Sequence, residues 1–463
     1  MPNRQNIKTQ SQKGRIRRED QVSDSIKSIG RLLAEEQSSG DKNFEIVIIG
    51  GGIAGLYKAY KILTKEPNKQ ILLLEASERL GGRIYTYHDN TIYKSGIEAG
   101  AGRFHKGHRR LLALIRELGL ENLIVPISTN KKYIPKPTHP TTQPTTQPTT
   151  PHSFIEQVIK ASKTTPIAQL QNQTFMEYAQ KVLPKTHPTN PAHLILNSFG
   201  YSAELTDTNA YDSINLIENH LNKTKYYGLK GGMEQIVKHL IAKLTSYTNF
   251  QYHLREPAIN IQPIQSTHQS THQIRIITPK TTYTANKCIC ALIKEDLEKI
   301  PIFRPIRPIL QKIKNLPLCR IYTKFPPDPT SKKVWFEGLP KITTNNNIRY
   351  IIPINPENGT IMISYTDNKY ADYWYKIRET KGTTGLNREL HSQLCQLFPN
   401  SKIPIPTHTK MFYWKHGVAY FQPGLDSTKD LAKIRLPSPD IPIQVCGENY
   451  SEKNSQWIEG ALE

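Results

Sequence analysis

VIIGGGIAGL, residues 47–56, places three consecutive glycines between an apolar run and a segment with helical spacing. The run that it completes, FEIVIIG (44–50), is rich in β-branched residues and predicts a buried parallel strand. GLYKAYKILTK (55–65) repeats apolar residues at helical spacing, and ILLLEAS (71–77) predicts a second buried strand. The order strand, glycine turn, helix, strand predicts a βαβ unit.

The glycines of this turn follow the spacing G-x-G-x-x-G, at Gly50, Gly52 and Gly55. In dinucleotide-binding turns the first glycine permits the tight turn, the second lets the backbone approach a pyrophosphate, and the third lets helix and strand pack closely. The helix that follows offers N–H groups and the positive end of its dipole to the phosphates. Glu75 ends the second strand, where a carboxylate accepts hydrogen bonds from ribose hydroxyls. The turn therefore predicts a dinucleotide cofactor.

The segment after the second strand, EASERLGGRIYT (75–86), carries the pattern R-x-G-G-R, from Arg79 to Arg83. In this pattern the chain resembles the FAD-containing amine oxidases, the family of monoamine, polyamine and L-amino acid oxidases. The resemblance implies an α/β fold: a Rossmann-like FAD-binding domain with a parallel sheet, and an inserted substrate domain of mixed sheet plus helices. It also implies FAD rather than NAD as the cofactor, with Arg83 neutralising the diphosphate.

A second matching segment, EAGAGRFHKGHRRLLALIRELGL (98–120), looks like the stretch beneath the flavin in L-amino acid oxidases. By that resemblance Arg103, at the end of Gly-Ala-Gly-Arg, clamps the carboxylate of the substrate. A guanidinium suits this task because it binds a carboxylate through two hydrogen bonds and stays charged. The alternative is that Arg103 only supports its loop or pairs with Glu98. REPAINIQ (255–262) resembles the strand that touches adenine, near Ala258.

The C-terminal segment VCGENYSEKNSQWIEGALE (445–463) resembles the closing motif of the family. Glu448 is expected near the ribityl-phosphate region of FAD. The stretch from Gln456 to Ala461 is expected to present a helix N-terminus to the flavin, where it stabilises the anionic reduced ring. Trp457 is expected to wall the substrate against the flavin, or else to be simple core packing.

The resemblance to this family implies that Arg103, Gln456 and Trp457 bind the substrate. The implied cofactor-binding set is Gly50, Gly52, Ile53, Ala54, Gly55, Glu75, Ala76, Arg83, Gly100, Ala101, Gly102, Arg103, Ala258, Gly447, Glu448, Trp457, Ile458 and Glu459. No metal site is expected.

Three positions, in two segments, depart from the family pattern. The family holds a lysine near flavin N5, and counting back from Phe325 places Arg320 there. Arg320 is the candidate catalytic residue; it cannot supply a neutral amine but can hold a water or an anion, so the departure bears on turnover with oxygen and not on FAD binding. In HGVAYFQPG (416–424), His416 replaces the cysteine of covalent attachment and Gly417 replaces an aromatic cage residue. FAD is therefore expected to be non-covalent, and a monoamine-type cage is disfavoured.

The 463 residues are long enough for two or three domains. The proposed division is a disordered basic arm (1–42), a first part of the FAD-binding domain (43–130), a Thr/Pro/Gln-rich loop (131–152), a helical substrate subdomain (153–225), a second FAD-binding part (226–300), a substrate domain with mixed sheet (301–440) and a third FAD-binding part (441–463).

The composition indicates in which compartment the protein is found and which partners its surface could bind. Five cysteines without a C-x-x-C pair predict buried free thiols in a reducing compartment. With no signal peptide and no apolar run of membrane-spanning length, the chain is expected to be intracellular and cytoplasmic. The formal net charge of +22 leaves nucleic acid open as a partner of the basic surface, beside the simpler interpretation of a Lys-rich surface. The oligomeric state is left open.

The leading hypothesis is an FAD-dependent oxidase that converts the C–N bond of an L-amino acid to an imine. Hydride passes to the flavin and O2 is the final electron acceptor, with release of H2O2. A polyamine or monoamine oxidase is the nearest enzymatic alternative. The other alternative is a catalytically impaired flavin-binding protein with a structural or nucleic-acid-associated role.

Overall fold

The computed structural model describes residues 42–89, 91–93, 95–135, 151–185, 190–221, 225–264 and 273–463. The predicted basic arm lies outside these ranges except for Lys42, and most of the predicted Thr/Pro/Gln-rich loop lies outside them as well. None of the helices in these ranges is long and apolar enough to cross a membrane. All five cysteines are free thiols, as predicted, but only Cys288, Cys290 and Cys319 are buried; Cys395 and Cys446 are partly exposed.

The strands in these ranges are numbered in chain order: β1 (Lys42–Ile49), β2 (Ile71–Leu74), β3 (Thr86–Tyr87), β4 (Ile97–Glu98), β5 (Ile124–Ile127), β6 (Lys131–Tyr133), β7 (Tyr226–Leu229), β8 (Phe250–His253), β9 (Asn260–Ile264), β10 (Gln273–Ile277), β11 (Thr282–Cys290), β12 (Ile313–Lys324), β13 (Lys341–Thr343), β14 (Tyr350–Asn355), β15 (Thr360–Asp367), β16 (His408–Phe421) and β17 (Ile443–Val445).

The α-helices are α1 (Ile53–Lys65), α2 (Arg109–Glu117), α3 (Pro151–Ser162), α4 (Ile167–Gln171), α5 (Phe175–Val182), α6 (Pro191–Phe199), α7 (Ala203–Thr206), α8 (Ala210–Leu216), α9 (Glu234–Thr245), α10 (Lys294–Leu297), α11 (Arg307–Leu310), α12 (Asn368–Leu397), α13 (Asp430–Arg435) and α14 (Ile458–Ala461). A π-helical turn follows α8 (Ile217–Leu221), and 3-10 turns cover Glu121–Leu123, Pro301–Ile306 and Glu448–Tyr450.

The first sheet has the order β8-β2-β1-β11, all parallel, with β17 also parallel to β11. Antiparallel β10 and β9 extend it beyond β11. Successive residues of β1 face two different cores, because Ile46 and Ile48 pack with α1 and α9 while Val47 and Ile49 pack with β9 to β11 on the other side. Burial of both faces explains the continuous apolar runs of β1 and β2 in the sequence.

The second sheet has the order β16-β12-β15-β14-β13-β6, and its pairs are antiparallel except for β13 with β6. One of its faces packs against α12. Gly382 kinks α12, with φ +63° and ψ −170°. The layer of helices α3 to α8 occupies the segment predicted to be helical, 153–225.

The structure differs from the predicted loop 131–152 at both ends. Lys131–Tyr133 forms β6, which pairs with β13 at the edge of the second sheet. Its sequence, Lys-Lys-Tyr, lacks the apolar run of a buried strand because an edge strand leaves much of its length in solvent. Helix α3 begins at Pro151, inside the predicted loop, because a proline is well tolerated in the first turn of a helix.

Candidate functional site

A cavity of about 970 Å³ lies between residues of the two sheets, a size at the upper end of the range for small-molecule sites. Its wall is formed by the turn after β1, the carboxyl ends of β2 and β11, part of β12 and β16, and the C-terminal segment. Apart from Gly55 and Glu459, all the residues predicted for the cofactor, the substrate and catalysis line this cavity.

The glycine turn has the packing that its spacing predicts. A Cβ on Gly55 would lie 2.0 Å from the carbonyl oxygen of Gly50, so this position belongs to the contact between β1 and α1 and not to the cavity wall. Gly52 caps α1 and lines the cavity, and the nearest heavy atom to a Cβ there would be the Cα of Gly82, at 4.0 Å. The turn therefore leaves open backbone where a phosphate would approach.

Glu75 holds the same turn from the end of β2. One oxygen of its carboxylate accepts the N–H of Gly51 at 2.7 Å, and the other accepts the N–H of Ser77 at 2.8 Å. These bonds fix the carboxylate at the cavity wall while leaving its remaining lone pairs for a ribose hydroxyl.

Arg83 and Glu448 are paired with each other. The Arg83 guanidinium donates to the Glu448 carboxylate and, at 3.1 Å, to the carbonyl oxygen of Gly417. Glu448 also accepts the side-chain amide of Asn449 at 2.9 Å and the N–H of Gln456 at 3.2 Å. This ion pair therefore connects the segment after β2 to β16 and to the C-terminal turn.

Arg103 lies at the aromatic part of the cavity. Its guanidinium carbon is 4.7 Å from the ring centre of Tyr226 and 5.5 Å from that of Trp457. Glu98, the alternative partner, instead accepts the N–H of Met233 at 2.7 Å and the hydroxyl of Thr86 at 3.0 Å. Within the described ranges no carboxylate lies within ion-pair distance of Arg103, so its charge is available to a carboxylate in the cavity.

Arg320 lines the same cavity from β12. Its guanidinium donates to the Glu98 carbonyl oxygen at 2.9 Å and to the Tyr365 hydroxyl at 3.3 Å, and it lies 4.5 Å from the Tyr365 ring centre. Its Nε has no hydrogen-bond partner among the described residues. These contacts hold the guanidinium in place beside the cavity, where it remains charged.

The C-terminal turn brings Gln456 and Trp457 to the cavity. Gln456 has φ +73°, and Trp457 caps α14. The indole of Trp457 stacks on Tyr226 with an interplanar angle of 2° and a centroid distance of 6.2 Å. Glu459 differs from its predicted place at the cofactor, because its carboxylate accepts the N–H groups of Arg110 and Leu111 and so caps α2.

Three buried histidines beside Trp457 were not singled out by the sequence reasoning: His105, His108 and His220. The N–H of Gly107 donates to His105 Nδ1 at 3.0 Å, so the proton of a neutral His105 is on Nε2. That nitrogen lies 2.9 Å from His220 Nδ1, and His220 Nε2 lies 3.1 Å from the carbonyl oxygen of Lys453. The contacts form one directed chain of hydrogen bonds from the turn before α2 to the C-terminal turn.

Ring nitrogens of these three histidines converge closely enough to bind a metal ion. A metal on His105 Nε2 would remove the proton that this nitrogen needs, because Nδ1 already accepts from Gly107. A dication would also be repelled by Arg103, which shares the Trp457 ring with the cluster. The hydrogen-bonded chain accounts for the cluster better than a metal does, and the absence of a metal stays a prediction.

His108 should make the protein sensitive to acid. Burial and the neighbouring imidazoles of His105 and His220 lower the pKa of His108 to about 2. Since the unfolded pKa is about 6.5, this residue stabilises the fold above that pH, and the stability is lost as pH falls from 6.5 toward 2. We expect His108→Gln to reduce the slope of unfolding free energy against pH by up to roughly 1.4 kcal/mol per pH unit below pH 6. Urea unfolding at a series of pH values measures this slope.

The exposed His193 on α6 provides the matched control. His193→Gln should leave the acid limb as in the wild type. Equal slopes for His108→Gln and the wild type would show that His108 is protonated in the fold at mildly acidic pH.

Comparison with known proteins gives a family match over most of the chain. Residues 53–463 match the family described as flavin containing amine oxidoreductase. The uncharacterized protein R188 of Acanthamoeba polyphaga mimivirus is 23% identical over 479 aligned residues, which cover 90% of this chain and 91% of that relative. Achacin of Lissachatina fulica is 32% identical over 92 residues, but this match covers 20% of the chain and only 17% of achacin.

Among solved structures, wild-type putrescine oxidase bound to putrescine superposes with a TM-score of 0.70 at 15% sequence identity. The superposition covers 91% of this chain and 97% of that one. At this identity the match establishes the α/β fold with its mixed sheets and helices.

Proposed function

The chain belongs to the flavin-containing amine oxidoreductase family, and we propose that within it the protein oxidises the C–N bond of an L-amino acid to an imine. Hydride would pass to FAD and then, as two electrons and protons, to O2 with release of H2O2. The observation that carries the choice of substrate is Arg103, a half-buried guanidinium that faces the cavity beside Trp457. A substrate carboxylate would complete its hydrogen bonding.

The residues present fit a dinucleotide with a flavin. We propose that the first sheet and its glycine turn form a Rossmann-like FAD-binding domain, in which Gly52 and the start of α1 receive the diphosphate and Glu75 accepts a ribose hydroxyl. Arg83, which is paired with Glu448, would also donate hydrogen bonds to the phosphates. With His416 at the position of the attachment cysteine, FAD would be held non-covalently. When bound, the flavin supplies the hydride acceptor.

The chain's own residues would position the substrate against that acceptor. Arg103 would fix the α-carboxylate, and Trp457 and Tyr226 would exclude water around it. The backbone N–H groups at the N-terminus of α14, just after Trp457, would point toward the negative charge that develops on the flavin when it is reduced. The short length of α14 confines this effect to those few N–H groups.

An anaerobic visible spectrum of the purified protein tests this proposal. We expect a flavin band that bleaches on addition of mixed L-amino acids and persists with a mixture of the amines that lack only their carboxylates. Bleaching by the amines alone would favour the polyamine or monoamine oxidase alternative. No flavin band after addition of FAD would overturn the proposed cofactor.

Arg320 motivates the alternative of a flavoprotein with impaired turnover. We expect Arg320→Lys to raise the rate of turnover with O2 by about tenfold or more, because a buried lysine can lose its proton and hold a water as a general base, whereas arginine cannot. The measurement is H2O2 release together with the rate of flavin reoxidation. Exposed Arg116, changed to lysine, is the control. A flavin-loaded variant that still turns over no faster than an inactive wild type would support the impaired flavoprotein.

A further inference from the structure

One acidic side chain of the cavity differs from the others in having an unsatisfied oxygen. Four carboxylates of the wall have partners: Glu75 with backbone N–H groups, Glu256 with Tyr283 and Thr278, Asp296 with Lys299, and Glu448 with Arg83. Glu204 also lines the cavity, is 5% exposed, and its Oε2 has no hydrogen-bond partner among the described residues. A buried carboxyl oxygen without a partner is costly, so this atom requires an explanation.

The backbone around Glu204 is firmly held. The carboxylate of Asp367 accepts the N–H of Ser202 at 3.0 Å and that of Ala203 at 2.7 Å, and the Ser213 hydroxyl donates to the Glu204 carbonyl oxygen at 2.6 Å. The side chain is therefore presented to the cavity by a fixed turn. The cost of its burial is reflected in a pKa of Glu204 raised well above the usual range by desolvation and by the charge of Asp367.

The surroundings of Glu204 favour a cation. The hydroxyl of Tyr201 is also buried without a hydrogen-bond partner among the described residues, and the rings of Tyr201 and Tyr365 line the cavity next to it. Aromatic faces attract a positive charge. Arg103 and Arg320 oppose a further cation at the same wall, but a substrate carboxylate on Arg103 would remove the charge of the first. Glu204 would then stabilise a positive charge on the side chain of the substrate, in addition to the charge of its α-amino group.

We propose, resting on the proposed function, that Glu204 receives a positively charged group on the substrate side chain, so that the substrates are L-amino acids with cationic side chains. Arg103 binds the α-carboxylate, and the Glu204 carboxylate accepts a hydrogen bond from the distal ammonium or guanidinium. The two groups together select a molecule with its anionic and cationic ends at different points of one cavity.

L-lysine and L-norleucine test this assignment, because they share a backbone and a four-carbon side chain and differ in the terminal ammonium. Their dissociation constants for the flavin-loaded protein follow from the perturbation of the flavin band in anaerobic stopped-flow mixing. We expect lysine to bind at least about 30-fold more tightly than norleucine, and Glu204→Gln to abolish this preference while changing norleucine binding less than threefold. Glu156→Gln, on an exposed site of α3, should retain it.

Equal affinities of the wild type for the two amino acids would overturn the assignment, as would a lysine preference that survives in Glu204→Gln. Should Glu204→Gln not fold, Glu204→Asp keeps an ionisable carboxyl group and is expected to keep a reduced preference for lysine. Loss of all preference there, with norleucine binding intact, would count against a charge interaction. Flavin bleaching by norleucine without any lysine preference would retain the proposed function and reject this inference. Selective lysine binding without bleaching would retain the binding role of Glu204 and reject the proposed oxidase function.

Discussion

Gly55→Ala is expected to lower the free energy of unfolding by roughly 3 kcal/mol or more, the upper end of the cost of overpacking. Its Cβ would lie 2.0 Å from the carbonyl oxygen of Gly50 and 3.3 Å from the Cβ of Ala291. Both neighbours belong to the junction of β1, β11 and α1, where backbone atoms cannot move without disturbing the sheet. Urea unfolding monitored by circular dichroism gives the change, and loss of the flavin band should accompany it.

Gly52→Ala is the matched control within the same turn. Gly52 has φ −70°, which alanine adopts freely, and the nearest heavy atom to its Cβ would be 4.0 Å away. We expect its unfolding free energy to stay within about 1 kcal/mol of the wild type, while flavin affinity falls because the methyl group occupies the side of the turn that faces the cavity. If Gly55→Ala were as stable as Gly52→Ala, the packing explanation for the third glycine would be wrong.

The first sheet was predictable because its signals are local. A β-branched run, a glycine turn and a helical repeat follow one another within 44–65, and each is readable without knowledge of the rest of the chain. Strand β6 was missed because three residues with two lysines acquire their strand character only by pairing with β13. Pairing across more than 200 residues leaves no periodic signal in either segment.

The candidate site also contains residues that local motifs predict and residues that only the tertiary structure reveals. The glycine turn and the segments around Arg83 and Arg103 were found through motifs, and the structure brings them to one cavity. Glu459 is expected at the cofactor as part of the stretch from Gln456 to Ala461, but the structure directs its carboxylate to the N-terminus of α2. Glu204 belongs to no recognisable motif, and only the tertiary structure shows that its oxygen has no partner among the described residues.

The histidine cluster could be predicted only in part from the sequence. His105 and His108 are three residues apart, a spacing that could have drawn attention to them, whereas His220 is 112 residues further along the chain. Nothing in the sequence shows that the π-helical turn after α8 brings His220 to the other two. The sequence therefore offered two members of the chain of hydrogen bonds and no means of completing it.

Arg103→Lys is expected to lower kcat/KM for an L-amino acid by at least about 100-fold, although the positive charge remains. Lysine lacks the planar fork that binds a carboxylate through two hydrogen bonds, and it loses the stacking of the guanidinium on Tyr226 and Trp457. Truncating one partner of a buried, hydrogen-bonded charge pair costs roughly 2–5 kcal/mol, and each 1.4 kcal/mol is a factor of ten. The flavin band should be unchanged.

The discriminating comparison is between the most active L-amino acid and the amine that lacks only its carboxylate. If Arg103 binds the carboxylate, Arg103→Lys should lower kcat/KM for the amino acid and leave that for the amine within about threefold. An equal loss for both compounds would show that Arg103 supports its loop and the Trp457 ring instead of binding substrate. Arg116→Lys, at an exposed ion pair with Glu121 on the surface, should change neither value. The ratio of the two losses therefore separates a carboxylate clamp from a structural arginine, even if the variant is somewhat less stable than the wild type.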